Sequence, residues 1–336
     1  MSRSAPRAAD GPQLELVATV RRTRAVALRW LAVAVLGFVG AAYAFGYVLA
    51  TMQGVALEPI VLPVFEPVDA LGWLVVGVVL VGAVIVPHEL LHGVFMARYG
   101  GEPEYGVGVA YFVLPYAYAE TEGTNYTRNQ LVVALLAPLV VITTVGVAAM
   151  VVYPSPLLLV PLSANVAGSM GDLWMAGVLL QYPRDVRVGP LPPERAESGP
   201  GREHESETRL EGDESASTDA ESDDRTQGFG IYGPSDRNCV RRPGLRVVAR
   251  VVAGAIGTVT VLAVATVGAV FASLAAGTGT VVIGNPDGWL LFRHELDPHG
   301  GFVFFEVGAS VVVAIAAVGG LAWAGLTELV RAIGGR

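Results

Sequence analysis

The chain has 336 residues, of which 53% are hydrophobic and only 15% are charged. A water-soluble domain carries charge on about a quarter of its residues, so this composition excludes an ordinary soluble protein. The formal net charge is -8 and no basic patch alternates with aromatic residues, which argues against nucleic acid as a partner. The single cysteine, Cys239, excludes an internal disulfide framework and a cysteine-rich metal site.

Several apolar runs exceed the roughly 18 residues that mark a membrane-spanning helix. We predict an all-α polytopic membrane protein with about six transmembrane helices and one short re-entrant or β-hairpin-like segment. The predicted spans are residues 25–50, 70–97, 130–152, 156–181, 246–276 and 302–330. The lipid bilayer is therefore the first partner that the sequence indicates.

These spans divide the chain into four regions. They are an N-terminal tail (1–24), a membrane-embedded core of four spans (25–183), an acidic linker (184–243) and a C-terminal region of two spans (244–336). The middle of the linker is dense in Glu, Asp, Ser and Arg and has almost nothing apolar to bury. Such a stretch cannot offset the entropy lost on ordering, so we expect the linker to be disordered.

The arginines predict the orientation of the chain in the membrane. They flank the predicted spans on one side at Arg3, Arg7, Arg21, Arg22, Arg24, Arg98, Arg128, Arg184, Arg187, Arg241, Arg242, Arg246, Arg331 and Arg336. The loops on the other side contain only Arg293. The positive-inside rule therefore predicts a cell-membrane protein with both termini and the acidic linker in the cytoplasm.

Residues 105–118, between the second and third spans, are apolar, rich in Gly and Tyr, and too short to cross a membrane. This composition fits a re-entrant or interfacial segment, or a β-hairpin, that protein shields at membrane depth. The alternative is an amphipathic connector on the membrane surface. Tyr111 and Tyr116 are candidate substrate-binding residues in this segment.

The sequence His88-Glu89-Leu90-Leu91-His92 lies near the cytoplasmic end of the second span. Residues four apart share a helix face, so both imidazoles can bind one metal ion. Glu89 lies beside them, where its carboxylate can take a proton from the attacking water. Ionisable residues inside an apolar span are costly, so three within five positions indicate a functional site rather than packing.

A catalytic zinc ion needs a third protein ligand. Asp172 is the only acidic residue of the fourth span, and its depth of about 13 Å agrees with about 9–15 Å for His88 and His92 when residues are counted at the helical rise. Glu120 and Glu122 are rival third ligands in a more polar stretch. Zinc is inferred from the ligand types, and other divalent metals bind similar sites.

The fourth span also contains Asn165, Gly168 and Gly171. Asn165 could bind the backbone of a substrate or orient the site, although ordinary hydrogen bonding between helices explains it equally well. The two glycines would let neighbouring helices approach the site closely.

At these residues the sequence resembles the zincin peptidases of the DUF3267 family, which are related to the site-2 group of intramembrane metalloproteases. The resemblance covers about residues 70–182: the HELLHG helix, the stretch from Tyr126 to Ala137-Pro138, and the segment from Asn165 to Asp172. It implies that His88 and His92 bind zinc, that Glu89 is the catalytic base and that Asp172 is the third ligand. The site-2 pattern has a proline at the position of Gly168 and a glycine at that of Leu173.

The leading hypothesis is a zinc metalloendopeptidase that cleaves a membrane protein or peptide near the cytoplasmic face. Two alternatives remain. One is a non-catalytic multi-pass membrane protein, either transporter-like or a zinc-binding scaffold. The other is a zinc hydrolase that acts on a non-peptide amide or ester, because the metal chemistry would be the same.

Overall fold

A computed structural model describes residues 14–21, 24–55, 60–63, 67–110, 114–121, 123–191, 228–235, 242–285, 288–297 and 302–334. Its six long helices are α1 (Arg24–Gln53), α2 (Pro67–Arg98), α3 (Arg128–Val152), α4 (Leu159–Leu180), α5 (Pro243–Ala275) and α6 (Ala309–Gly334). A short 3₁₀ turn, Pro156–Leu158, precedes α4.

Five of these helices are long and apolar enough to cross a membrane. They contain the segments Leu28–Gln53, Leu71–Arg98, Arg128–Val152, Gly244–Ala275 and Ala309–Ile333. Their apolar side chains are largely exposed: Leu74 and Val78 of α2, for example, are more than 60% accessible. An apolar surface of this extent fits lipid as the surrounding medium, since soluble proteins rarely expose such large patches.

Helix α4, the fourth span expected from the sequence, is not among these five helices. It has 22 residues, which is long enough to span, but it contains Ser163, Asn165, Ser169 and Asp172, all of them buried. Helices α1, α2 and α3 all pack against α4. The neighbouring helices therefore shield these polar side chains, which would be costly to expose to lipid.

The described residues also form strands, which corrects the expectation of an all-α fold. The strands are β1 (Leu14–Arg21), β2 (Ile60–Pro63), β3 (Pro103–Ala110), β4 (Leu114–Thr121), β5 (Tyr126–Thr127), β6 (Arg187–Gly189), β7 (Gly228–Pro234), β8 (Thr280–Gly284), β9 (Leu290–Asp297) and β10 (Phe302–Val307). One antiparallel sheet has the order β1-β7-β6-β5, a second has the order β2-β10-β9-β8, and β3 pairs with β4 alone. All of these strands lie in connections between helices or before the first one.

The two four-stranded sheets lie at opposite ends of the helices. The first, sheet A, contains the segments before α1, before α3, after α4 and before α5. The second, sheet B, contains the segments between α1 and α2 and between α5 and α6. The sixth predicted span, 302–330, is shorter than expected because its first residues pair with β9 and β2 as β10, and α6 begins only after Gly308.

Both ends of the acidic linker are strands of sheet A. Strand β6 pairs antiparallel with β7, and Gly189 lies opposite Gly230. Residues 192–227, which contain most of the acidic sequence, lie outside the described residues. The linker is thus inserted between two hydrogen-bonded neighbouring strands.

Residues 105–118 fall in the β3–β4 hairpin, whose register runs from Pro103 opposite Thr121 to Ala110 opposite Leu114. Both strands contact α2. The contact is close at Gly93, where an added Cβ atom would lie 2.0 Å from the hydroxyl oxygen of Tyr105. Of the folds expected for this segment, the structure has the hairpin.

The interior of the helix bundle has apolar clusters on both sides of a polar middle. Toward sheet A, Leu131 and Leu135 of α3 pack with Leu179 of α4 and with strand residues. Toward sheet B, Met150 and Leu162 pack with Leu49 of α1. The buried polar residues of α2 and α4 lie between these clusters.

Candidate metal centre

The two histidines of α2 lie on the buried face of a helix that is otherwise exposed. His88 and His92 are each 6% accessible, whereas Val86 and Leu90 are 60% and 47% accessible. Because residues four apart share a helix face, one side of α2 directs both imidazoles inward while the apolar side chains face outward. The ring centroids are 5.0 Å apart in an edge-to-face arrangement.

Asp172 of α4 completes a group of three potential ligands. Its Oδ2 atom lies 3.4 Å from Nε2 of His88 and 3.3 Å from Nε2 of His92. One ligand atom from each residue lies within 4.8 Å of the others, and all three residues are buried. Within the described part of the chain, this is the only group of three such residues close enough to share a metal ion.

The other ring nitrogen of each histidine, Nδ1, contacts a residue outside the group of three. Nδ1 of His92 lies 2.9 Å from the backbone carbonyl oxygen of Ala134, which can only accept a hydrogen bond. Nδ1 of His88 lies 3.0 Å from Oδ1 of Asn165. The amide nitrogen of Asn165 points toward the carbonyl oxygen of Pro138, which again can only accept, so the amide oxygen faces His88.

These partners place the proton of each neutral imidazole on Nδ1. With neutral imidazoles, the two Nε2 lone pairs face the carboxylate oxygen of Asp172 with no proton between the three atoms, and a metal cation can fill this space. Ligands at zinc distances of about 2.0–2.1 Å are about 3.3–3.4 Å apart in a tetrahedron, which agrees with the two separations between a histidine and Asp172. Two imidazoles and a carboxylate therefore fit a zinc ion, and their Nδ1–H bonds are the usual supports of zinc-binding histidines.

Glu89 is half-buried and lies near this group. It interacts electrostatically with His88, His92 and Asp172, but it does not join the three ligand candidates. A carboxylate beside the ligands, and not itself a ligand, is free to exchange a proton with a reacting water.

Gly168 and Gly171 lie where α4 faces the rings of His88 in α2 and Trp30 in α1. An added Cβ atom would be 3.6 Å from the His88 ring at Gly168 and 3.6 Å from the Trp30 ring at Gly171. These are ordinary contact distances at which a methyl group would fit, so the role of these glycines in close helix approach stays a prediction.

The structure describes no side chain for the other predicted site residues, so their part in the site stays a prediction. Tyr111 and Glu122 lie outside the described residues, and for Tyr116 and Glu120 the structure describes only the backbone, in β4.

Sequence reasoning missed Ala134 and Pro138, whose backbone carbonyl oxygens contact His92 and Asn165. Neither has a side chain that can bind a metal or transfer a proton. The signal that could have indicated them is a proline inside a long apolar helix, because such a proline leaves the carbonyl oxygen four residues earlier without its helical partner.

Comparison with known families agrees with this geometry. Residues 81–187 match the DUF3267 family, whose description is "Putative zincin peptidase". The match includes His88, Glu89, His92, Asn165 and Asp172 and confirms the resemblance expected from the sequence. The chain matches no curated protein and no solved structure.

Proposed function

We propose, from the DUF3267 match of residues 81–187 and the geometry of the site, that this protein is a membrane-embedded zinc metalloendopeptidase. The observation that carries the proposal is the convergence of two Nε2 atoms and a carboxylate oxygen, with both Nδ1 atoms already bound elsewhere. The relation to the site-2 group of intramembrane proteases is part of this proposal.

The residues of the site have three different tasks in the proposed reaction. His88, His92 and Asp172 hold zinc, which when bound acidifies water and polarises the scissile carbonyl. Glu89 accepts the proton of the attacking water and passes it to the leaving amine. Asn165 holds the ring of His88 in place, a role that its contacts support better than direct contact with a substrate.

The β3–β4 hairpin is the proposed binding surface for the substrate. It packs against α2 close to the metal ligands, and neither strand pairs with a third strand among the described residues. An exposed edge can accept an extended peptide as an added strand, with main-chain hydrogen bonds that demand little of the sequence. The substrate would be a membrane protein segment that unwinds beside the site.

We also propose that α4 is a sixth span and that the site lies near the cytoplasmic face. Burial of the α4 polar residues between three helices supports the first point. The arginines around sheet A, including Arg128, Arg184 and Arg242, support the second. Both termini and the acidic linker would then lie in the cytoplasm.

The test combines metal content with peptide cleavage for the full chain in detergent. We expect about one zinc ion per chain in the wild type and loss of zinc in His92→Ala and Asp172→Ala. Glu89→Gln should retain zinc and lose at least about 100-fold in cleavage of quenched-fluorescence peptides with apolar flanks. Glu102→Gln, at an exposed position after α2, is the matched control and should resemble the wild type.

The outcomes separate the candidate functions. Zinc lost with His92→Ala but kept with Asp172→Ala would redirect the third ligand to Glu120 or Glu122. Zinc bound without cleavage of any peptide, but with cleavage of simple esters, would indicate a non-peptide hydrolase. A wild-type protein that holds no zinc after reconstitution would favour a non-catalytic membrane protein.

A further inference from the structure

Pro138 lies in the interior of α3, ten residues after the helix begins at Arg128. Proline has no backbone N–H, and its ring displaces the carbonyl of the residue four positions earlier. That residue is Ala134, whose carbonyl oxygen therefore lacks the helical hydrogen bond that an N–H at position 138 would donate. Helix α3 nevertheless continues to Val152, so the proline interrupts the hydrogen bonding without ending the helix.

The freed carbonyl faces the metal centre. Ala134 is 1% accessible, and a buried carbonyl without a partner is unfavourable. Its oxygen accepts the hydrogen bond of His92 Nδ1 at 2.9 Å. The gap that Pro138 leaves in the α3 hydrogen bonds thus supplies the acceptor that orients one of the two histidines.

The same turn also reaches the other histidine. The carbonyl oxygen of Pro138 lies 3.5 Å from Nδ2 of Asn165, and Oδ1 of Asn165 lies 3.0 Å from Nδ1 of His88. With its amide nitrogen held toward α3, Asn165 presents its oxygen to His88. One turn of α3, from Ala134 to Pro138, therefore contacts His92 directly and His88 through Asn165.

We propose that Pro138 is a positioning residue of the metal centre. By freeing the carbonyl of Ala134, it keeps the proton of His92 on Nδ1 and directs Nε2 of His92 toward the ion. The amide nitrogen of Asn165 is held both by the backbone carbonyl at position 138 and by Oγ1 of Thr143. This inference rests on the proposed zinc centre. It assigns to a proline a task that its side-chain chemistry alone would not indicate.

Substitutions that restore the N–H at position 138 test the proposal. In Pro138→Ala the new N–H competes with His92 for the carbonyl oxygen of Ala134. We expect the dissociation constant for Zn²⁺ to rise by about 10–100-fold, the usual effect of losing an outer partner of a ligand. The visible absorption spectrum of the Co²⁺-substituted protein should also change, because the His92 imidazole is less rigidly held.

Two further variants separate positioning from general stability. Pro138→Gly restores the same N–H but raises helix propensity less than alanine does, so both variants should weaken metal binding although their metal-free stabilities differ. Pro161→Ala is the matched control, because Pro161 is in the first turn of α4, where no helical N–H bond is lost. It should bind Zn²⁺ as the wild type does. Thermal unfolding of the metal-free full chain in detergent gives the stability of each variant.

The outcomes distinguish this inference from the proposed function. If the wild type binds Zn²⁺ and both Pro138 variants bind it equally well, Pro138 has no positioning role and the zinc centre stands. If affinity falls only in proportion to metal-free stability, Pro138 is structural and the proposal is overturned. If the wild type itself binds no Zn²⁺, the zinc centre is wrong and this inference falls with it.

Discussion

At the scale of single residues, the two histidines differ in how they are held. His92 relies on a backbone carbonyl of α3, whereas His88 relies on the side chain of Asn165. The backbone acceptor remains whatever side chain occupies position 134, but the side-chain acceptor disappears with one substitution. A single side-chain deletion can therefore remove the hydrogen bond that orients His88, but not the one that orients His92.

This difference predicts the effect of Asn165→Ala. With the acceptor removed, His88 loses its fixed ring orientation, and we expect the dissociation constant for Zn²⁺ to rise by about 10–100-fold. Metal titration of the purified full chain measures the change. Ser163→Ala is the matched control: Ser163 is equally buried on the same helix, and its hydroxyl has no hydrogen-bond partner among the described residues. If Asn165→Ala left metal binding unchanged and reduced cleavage only, Asn165 would instead contact the substrate.

At the scale of elements, the β3–β4 hairpin packs closely against α2. The motif glycine that follows His92 has a physical reason here, because the Tyr105 hydroxyl occupies the space that a side chain at Gly93 would need. The hairpin is thereby held within one helical turn of a metal ligand. This proximity connects the proposed substrate surface with the proposed chemistry.

A proline in the hairpin tests this connection. Val107 of β3 is 84% exposed, so its replacement removes a backbone donor and fixes φ without disturbing a packed core. We expect Val107→Pro to abolish peptide cleavage while leaving the zinc content unchanged. The control Val107→Ala keeps the backbone donor and should cleave normally. Unimpaired cleavage by Val107→Pro would rule out strand addition at this hairpin.

At the scale of the whole molecule, sheet A and sheet B mark the two ends of the helix bundle. Sheet A joins the N-terminal strand, both flanks of the acidic linker and the start of α3. Sheet B joins the two connections at the opposite end. Helices α5 and α6 pack against each other, with Gly320 against the backbone of α5, and an ion pair links Arg250 to Glu328.

The proposed orientation predicts which end can be labelled from outside the cell. Cys239, the only cysteine, lies outside the described residues; in the sequence it stands between β7, a strand of sheet A, and α5. A membrane-impermeant maleimide should label it in inverted membrane vesicles and not in intact cells, because the sheet A end is expected in the cytoplasm.

A second variant keeps the labelling experiment informative. In a Cys239→Ser background, Thr280→Cys places the thiol at an exposed position of β8 in sheet B. It should be labelled in intact cells. The reverse pattern for the two proteins would place the metal centre on the outer side of the membrane and contradict the proposed orientation.

The sequence by itself predicted the six long helices and the three residues that the structure brings together as potential metal ligands. Long apolar runs predict spans, and the helical period alone places His88 and His92 on one face. Asp172 could be singled out because a carboxylate inside an apolar run is costly unless it has a partner. These signals are local: each depends on residues within a few turns of one another.

The tertiary structure alone decided the features that depend on distant pairing. Strands β1 and β7 are short and more than 200 residues apart in the chain, and β10 has an apolar sequence that also suits the start of a helix. Likewise, only the packing shows that the polar side chains of α4 are buried against three other helices. The hydrogen bond from His92 to Ala134 joins two helices, so only their packing brings the carbonyl freed by Pro138 to the imidazole that needs it.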